Sequence, residues 1–128
     1  MSSLTEAVGA ESTVTRTVTS ADTAIAVGSG DLPVLATPLM IALMEQAACA
    51  AIGPYLPDGM TSVGTRVEVR HRAPSPIGST VHARATVTSV DGARVAFTVR
   101  AWQDDGAVVA IGDGTHTRAV IDRAPWAR

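Results

Sequence analysis

Lysine is missing from this chain: all ten basic residues are arginine, set against twelve Asp and Glu for a formal net charge of −2. That balance leaves no broad cationic footprint for polyanions. Aromatic residues are nearly as scarce, with two Trp, one Tyr and one Phe. Base stacking on a nucleic acid is therefore not expected, and Ala, Val, Ile, Leu and Met must build the core. A lone cysteine, Cys49, excludes an internal disulfide; inside an apolar run it reads as a small packed hydrophobe rather than a nucleophile. The opening residues MSSLTEAVGA carry neither the basic nor the apolar region of a signal peptide. The longest apolar run, roughly 16 residues, falls short of the ~20 that span a bilayer. A cytoplasmic protein is the expectation. The three histidines lie far apart, so no metal-ligand spacing emerges and no metal is expected.

What is present begins with length: 128 residues make one domain, with a core but no room for two. The stretch TPLMIALMEQAACAAIGP, from Thr37 to Pro54, is the one long apolar segment with helix punctuation at both ends. Thr37 reads as the N-cap, Pro38 suits the first helical turn, and Gly53-Pro54 stops the helix. A helix apolar all round has to be covered on all sides. Its anomaly is Glu45, flanked at helical spacing by Ile41, Ala42, Ala48 and Cys49. A buried carboxylate needs a partner, and none is available on the helix itself.

Before the helix, residues 12–20 (STVTRTVTS) have strand composition, and 21–27 (ADTAIAV) read as a second strand. The loop Gly28-Ser29-Gly30-Asp31 either turns a corner or moves as a lid. After the helix, strict alternation appears. Val67, Val69 and His71 share one face, and Val81, Ala83, Ala85 and Val87 the next, followed by Val95, Phe97, Val99 and Ala101. Asp91-Gly92 and Asp105-Gly106 mark hairpins. Gly112 and Gly114 in the last strand mark a bulge or a close approach. The expected layout is a flexible lead-in over 1–11, a single domain over 12–122 and a tail over 123–128 carrying Trp126. One curved antiparallel β-sheet wrapped around a central apolar α-helix satisfies this order, an α+β architecture known as the hotdog fold. A single sheet leaves part of the helix bare, which points to a second copy and a homodimer or higher homo-oligomer.

The segments ATPLMIALMEQAACAAIGPYL, SVGTRVEVRHRAPSPIG and GDGTHTRAVI together resemble the hotdog thioesterases typified by fluoroacetyl-CoA thioesterase, over roughly residues 34 to 122. The resemblance implies a catalytic set of Thr37, Glu45 and His71, and places the backbone N–H of Gly64 in the acyl pocket. It implies an acyl-CoA substrate, with coenzyme A as part of the substrate and no separate cofactor. The type member closes a small pocket with phenylalanines before the helix, where this chain has GSGDLPVLA and no aromatic. A different or larger acyl group is the consequence, with Leu32, Leu35, Met40 and Met44 as expected lining.

The residues themselves leave alternatives open. Thr37 serves as a cap alone or also as a reacting-group donor, and Glu45 and His71 serve as satisfied core groups or as a proton-transfer pair. Thr37 and Glu45 lie eight residues apart, roughly 12 Å along a helix and about 80° around it. They are not expected to touch directly: either Thr37 leans inward from the cap, or the site combines groups from two chains across a dimer interface, the arrangement the resemblance implies. His82 and His116 read as structural. The outward arginines Arg66, Arg70, Arg72 and Arg84 read as solvated, although some of them are in position to meet coenzyme A phosphates. The expected function is hydrolysis of a short or medium acyl-CoA thioester, with Glu45 as nucleophile or general base. The rivals are a non-catalytic acyl-CoA binding protein and an enoyl-CoA hydratase or dehydratase on the same fold.

Overall fold

The computed structural model describes residues 3–127. Five strands, β1 (Glu11–Thr17), β2 (Met60–His71), β3 (Thr80–Asp91), β4 (Arg94–Asp104) and β5 (Val108–Asp122), form one antiparallel sheet in the order β1-β3-β4-β5-β2. The helix α2 (Thr37–Ile52) packs chiefly on β3 and β1. Alternation in sequence sets this packing: Val81, Ala83, Ala85, Val87, Val95, Phe97, Val99 and Ala101 all lie buried beneath the helix. Small residues on both surfaces let the helix settle close to the sheet. The curved sheet with one central helix is the hotdog arrangement.

Several local expectations give way to tertiary structure. Residues 21–27 do not pair as a strand. Ser20–Asp22 is a 3-10 turn, and a short helix, α1 (Ala24–Val27), follows it. Local side-chain bonds override strand propensity here: Asp22 closes a capping box with Thr19, the Thr23 hydroxyl caps the N–H of Ala26, and Gly28 ends α1 with φ of 79°. The lead-in is folded rather than flexible. Leu4–Ala7 form a 3-10 turn, Ala7 is buried in the core, and β1 already begins at Glu11; residues 1–2 lie outside the described residues. In the tail, Trp126 is 75% exposed.

The helix boundary also differs. Ala36 is the N-cap, Thr37 is the first helical residue, and no side chain caps this end. The Thr37 hydroxyl is thereby free for another partner. Nor is α2 covered on all sides within one chain: Gln46, Cys49 and Ala50 are exposed, so Cys49 is not the packed hydrophobe its neighbours imply. The sheet ends at β2, which pairs only with β5 and leaves Val63 and Val67 exposed.

The approach to α2 is fixed by a buried carboxylate. Asp22 accepts from Arg16 Nε at 2.9 Å and from its NH2 at 2.7 Å, and also from the Thr19 N–H. The Asp22 carbonyl in turn accepts from the Ala36 N–H at 2.9 Å, and Leu35 donates to the Ser75 carbonyl at 2.8 Å. Strand β1 thus holds the residues immediately before Thr37 in place. Arg16 hydrogen bonding, stronger than the opposing effect of burial, pulls the Asp22 pKa down to about 2. A carboxylate with a depressed folded pKa contributes stability above its unfolded value, and that contribution is lost as pH falls through about 2. Arg16→Gln is expected to destabilise the protein by roughly 1–3 kcal/mol near neutrality. In denaturant titrations across pH, the gap from the parent should close as Asp22 protonates in acid.

Candidate functional site

Two polar clusters lie where α2 meets β2 and β5. At the start of the helix, Thr37 Oγ1 and His71 Nδ1 are 2.7 Å apart. The contact joins the first helical residue to the last residue of β2, and exists because Ala36 rather than Thr37 occupies the cap. The pair lines a pocket of about 270 Å³ together with Ala24, Val34, Leu35, Arg72 and Pro74. His71 Nε2 is buried and has no hydrogen-bond partner. Burial pushes the His71 pKa below the ordinary histidine value, against an opposing pull from the Ala73 backbone. Burial favours the neutral ring, with Nδ1 committed to Thr37 and the buried Nε2 without a partner among the described residues.

Two turns along α2 the second cluster resolves the anomaly of Glu45. Arg118, almost wholly buried on β5, donates from its NH1 to Glu45 Oε2 at 3.1 Å. The same guanidinium is anchored from the other side, donating from Nε to the Ser62 hydroxyl at 2.9 Å and from NH2 to the Ser62 carbonyl at 3.1 Å. His116 Nδ1 donates to the Arg66 carbonyl at 2.8 Å, which leaves Nε2 as an acceptor for Arg118 NH1 at 3.2 Å. Its Nε2 lies 3.7 Å from the Glu45 carboxylate, and its ring stacks on Phe97 with centroids 5.8 Å apart. Burial, with a contribution from Arg118, holds the His116 pKa below the ordinary value although the Arg66 carbonyl and Glu45 act upward. The carboxylate therefore faces a fixed cation and a neutral imidazole, and it remains partly open to solvent, with 38% of its side chain exposed.

Gly64 explains how the carboxylate fits. A Cβ at that position would fall on Glu45 Oε2 and crowd His116 Cε1. Any side chain there would displace the Glu45 carboxylate from its present position beside the strand. The strand also bulges here, its register with β5 shifting between Gly64 and Arg66.

The structure brings Thr37 and His71 into hydrogen-bond contact but does not bring Glu45 to His71 within one chain. Glu45 is partnered by Arg118 and His116 instead. His116, read as structural, belongs to the Glu45 cluster, and Arg118 went unnoticed. The signal for Arg118 was its parity: it shares a strand face with His116 and Val120 in GTHTRAVI, and an inward arginine demands an acid. Of the four side chains expected as pocket lining, Leu35 lines the Thr37–His71 cavity. Met40 and Met44 are buried core residues, with Met40 packed against Gly112, and Leu32 is 61% exposed. Full burial on the sheet side of α2 removes both methionines from the cavity. Among the described residues no group of His, Cys, Asp and Glu is arranged to hold a metal ion, and no helix is long and apolar enough to cross a membrane.

Comparison with known proteins bears on this arrangement. Residues 18–124 match the family profile described as fluoroacetyl-CoA-specific thioesterase. The chain is 48% identical over 88 residues to the fluoroacetyl-CoA thioesterase of Streptantibioticus cattleyicolor, a match covering 69% of this chain and 61% of that relative. It therefore spans less than two thirds of the length of the curated relative it matches. Among solved structures, a threonine-to-serine mutant of the fluoroacetyl-CoA thioesterase in complex with acetyl-CoA superposes with a TM-score of 0.83 at 36% identity, covering 93% of this chain and 92% of that one. A Thermus thermophilus protein described as a thioesterase superfamily member superposes with a TM-score of 0.82 at 30% identity, covering 92% and 85%. With the profile spanning most of the chain and the whole fold shared, the protein belongs to the fluoroacetyl-CoA-specific thioesterase family.

Proposed function

We propose that the protein hydrolyses an acyl-CoA thioester of short or medium length, with Thr37, Glu45 and His71 as the working residues. The observation that carries this reading is the Thr37–His71 hydrogen bond of 2.7 Å on the wall of the pocket, with the second imidazole nitrogen unpartnered. Relatives described in complex with acetyl-CoA, and with fluoroacetate and CoA, support the substrate class. Water adds to the thioester carbonyl as its proton passes to a base, and the C–S bond breaks as the sulfur takes up a proton, giving the free acid and the coenzyme A thiol. Glu45 is the base or, by direct attack on the carbonyl, the nucleophile. The Arg118 guanidinium, donating to it at 3.1 Å, holds the carboxylate in place for either role. His71 moves the proton, and Thr37 orients the imidazole. The N–H groups at the start of α2 and that of Gly64 are the donors for the oxyanion. No further cofactor enters this chemistry, since coenzyme A arrives with the substrate.

The same proposal includes a homodimer or higher homo-oligomer acting in the cytoplasm. Strand β2 presents an unpaired edge with Val63 and Val67 exposed, and α2 presents an uncovered face around Cys49 and Ala50. A second copy there would cover both and would bring its Glu45 toward the first copy's Thr37–His71 pair, which no contact within one chain does. The acyl group is different from fluoroacetyl or larger, because residues 28–36 contain no aromatic to close the cavity.

A thiol-release assay across acyl-CoA lengths tests the reading directly. Glu45→Gln and His71→Ala are each expected to lower kcat by about 10²-fold or more, and Thr37→Ala by less. Parent-like rates in Glu45→Gln would sink this mechanism. Single turnover in 18O water detects direct attack where water opens the mixed anhydride at the Glu45 carbonyl, since that path leaves label in the Glu45 carboxylate, whereas general-base catalysis labels only the released acid. Proton NMR titration should place the His71 and His116 midpoints below 6.5, so both rings are neutral at pH 7. The unfolded chain then binds protons first as pH falls through ~6.5, and stability should decline from that point downward. A His71 midpoint above 6.5 would contradict the neutral-base assignment.

A further inference from the structure

The outer face of the sheet carries side chains that hydrolysis at Thr37 and His71 does not use. One cross-strand row there runs Thr13, Arg84, Arg100, Asp113 and Arg70, residue opposite residue, from β1 through β3, β4 and β5 to β2. Arg84 and Arg100 are therefore like charges set directly opposite one another, which is unfavourable on a bare sheet. Both guanidiniums lie against the Trp102 indole, 5.3 and 4.8 Å from its centroid. Arg84 commits only Nε, to the Thr13 hydroxyl at 2.9 Å. Among the described residues Arg100 has no hydrogen-bond or ion-pair partner. The row's one acid, Asp113, is gripped at both oxygens by Arg72, at 2.6 and 3.1 Å. Two guanidinium forks are thus held in place over an aromatic ring with most of their donors unspent.

This cation pair is connected to the pocket on the other side of the sheet edge. Arg72 lines the Thr37–His71 pocket, while its ion-pair partner Asp113 lines a concavity of about 450 Å³ together with Arg100 and Trp102. A coenzyme A thioester has the matching layout, with its reactive carbonyl at one end of an extended arm and a diphosphate and 3′-phosphate at the other. We propose that the Arg100–Trp102 concavity receives the phosphate-bearing nucleotide end of the thioester, with Arg100 and Arg84 as its cation pair and the arm crossing the Arg72–Asp113 bridge. The proposal rests on the acyl-CoA reading above and names where that substrate's far end binds. Guanidinium forks suit phosphate because each can donate two parallel hydrogen bonds, and a bound anion also removes the cost of the opposed like charges.

The experiment compares an acyl-CoA with the matching acyl-N-acetylcysteamine thioester, which lacks the nucleotide. The Arg84→Gln/Arg100→Gln double variant is measured against the parent and against Arg94→Gln, an exposed arginine on the same face at the opposite end of β4, with thermal melts to confirm folding. Losing charge-assisted contacts to phosphate should raise KM for acyl-CoA about tenfold or more with kcat retained, and the loss should be confined to the coenzyme A thioester. Adenosine 3′,5′-bisphosphate should bind the parent saturably by tryptophan fluorescence, and the double variant at least about tenfold more weakly. Unchanged KM in the double variant would overturn the proposal, as would equal losses on both thioesters. If the parent hydrolyses neither thioester, the hydrolase reading fails on its own account. The bisphosphate titration then decides the docking site: binding lost in the double variant supports it, and no saturable binding overturns it.

Discussion

The Glu45 carboxylate sits on a helix that is otherwise apolar, and the way this one charge is held governs what surrounds it. Arg118 reaches it from β5 at 3.1 Å, itself braced by both polar atoms of Ser62 on β2. An arginine buried this deeply would be costly alone, as would the carboxylate. Together they tie α2 to the far two strands, β5 and β2, whereas its apolar packing is chiefly to β3 and β1. Hydrophobic burial therefore holds one flank of the helix and an ion pair holds the other.

That division places the chemistry. The packed flank is made of Ala, Val and Phe97 and excludes water. The other flank is looser, with Gly64 letting the strand approach the acid and a bulge re-aiming the residues that follow. Between Gly64 and His71 the same strand passes from one polar cluster to the other. β2 is also one of the sheet's two edge strands, so one side of the strand that carries His71 is unpaired among the described residues.

Much of the fold was legible because alternation is a local property. The inward sets on β3 and β4 were read residue by residue, as were the helix span, the hairpins at Asp91-Gly92 and Asp105-Gly106, and the sheet-around-helix layout. The misreadings fell where side-chain hydrogen bonds compete with backbone propensity. Residues 21–27 have the composition of a strand, yet Asp22 and Thr23 supply caps that make turn and helix preferable. Thr37 has the identity of an N-cap, yet the chain enters the helix one residue earlier and its hydroxyl turns to His71.

The sequence alone determined that Glu45 needed a partner and that His71 lay on an inward strand face, because burial cost and strand parity follow from residue type and order. Which partner each found was decided only by the tertiary structure. Arg118 is 73 residues from Glu45 and His71 is 34 from Thr37, and their meeting depends on strand order and register. No local pattern encodes that β5 lies between β4 and β2, or that a bulge at Gly64 sets which side chains of β2 face the helix. The charge on α2 is visible in the sequence; the cation that pairs with it is identified only once the strands are paired.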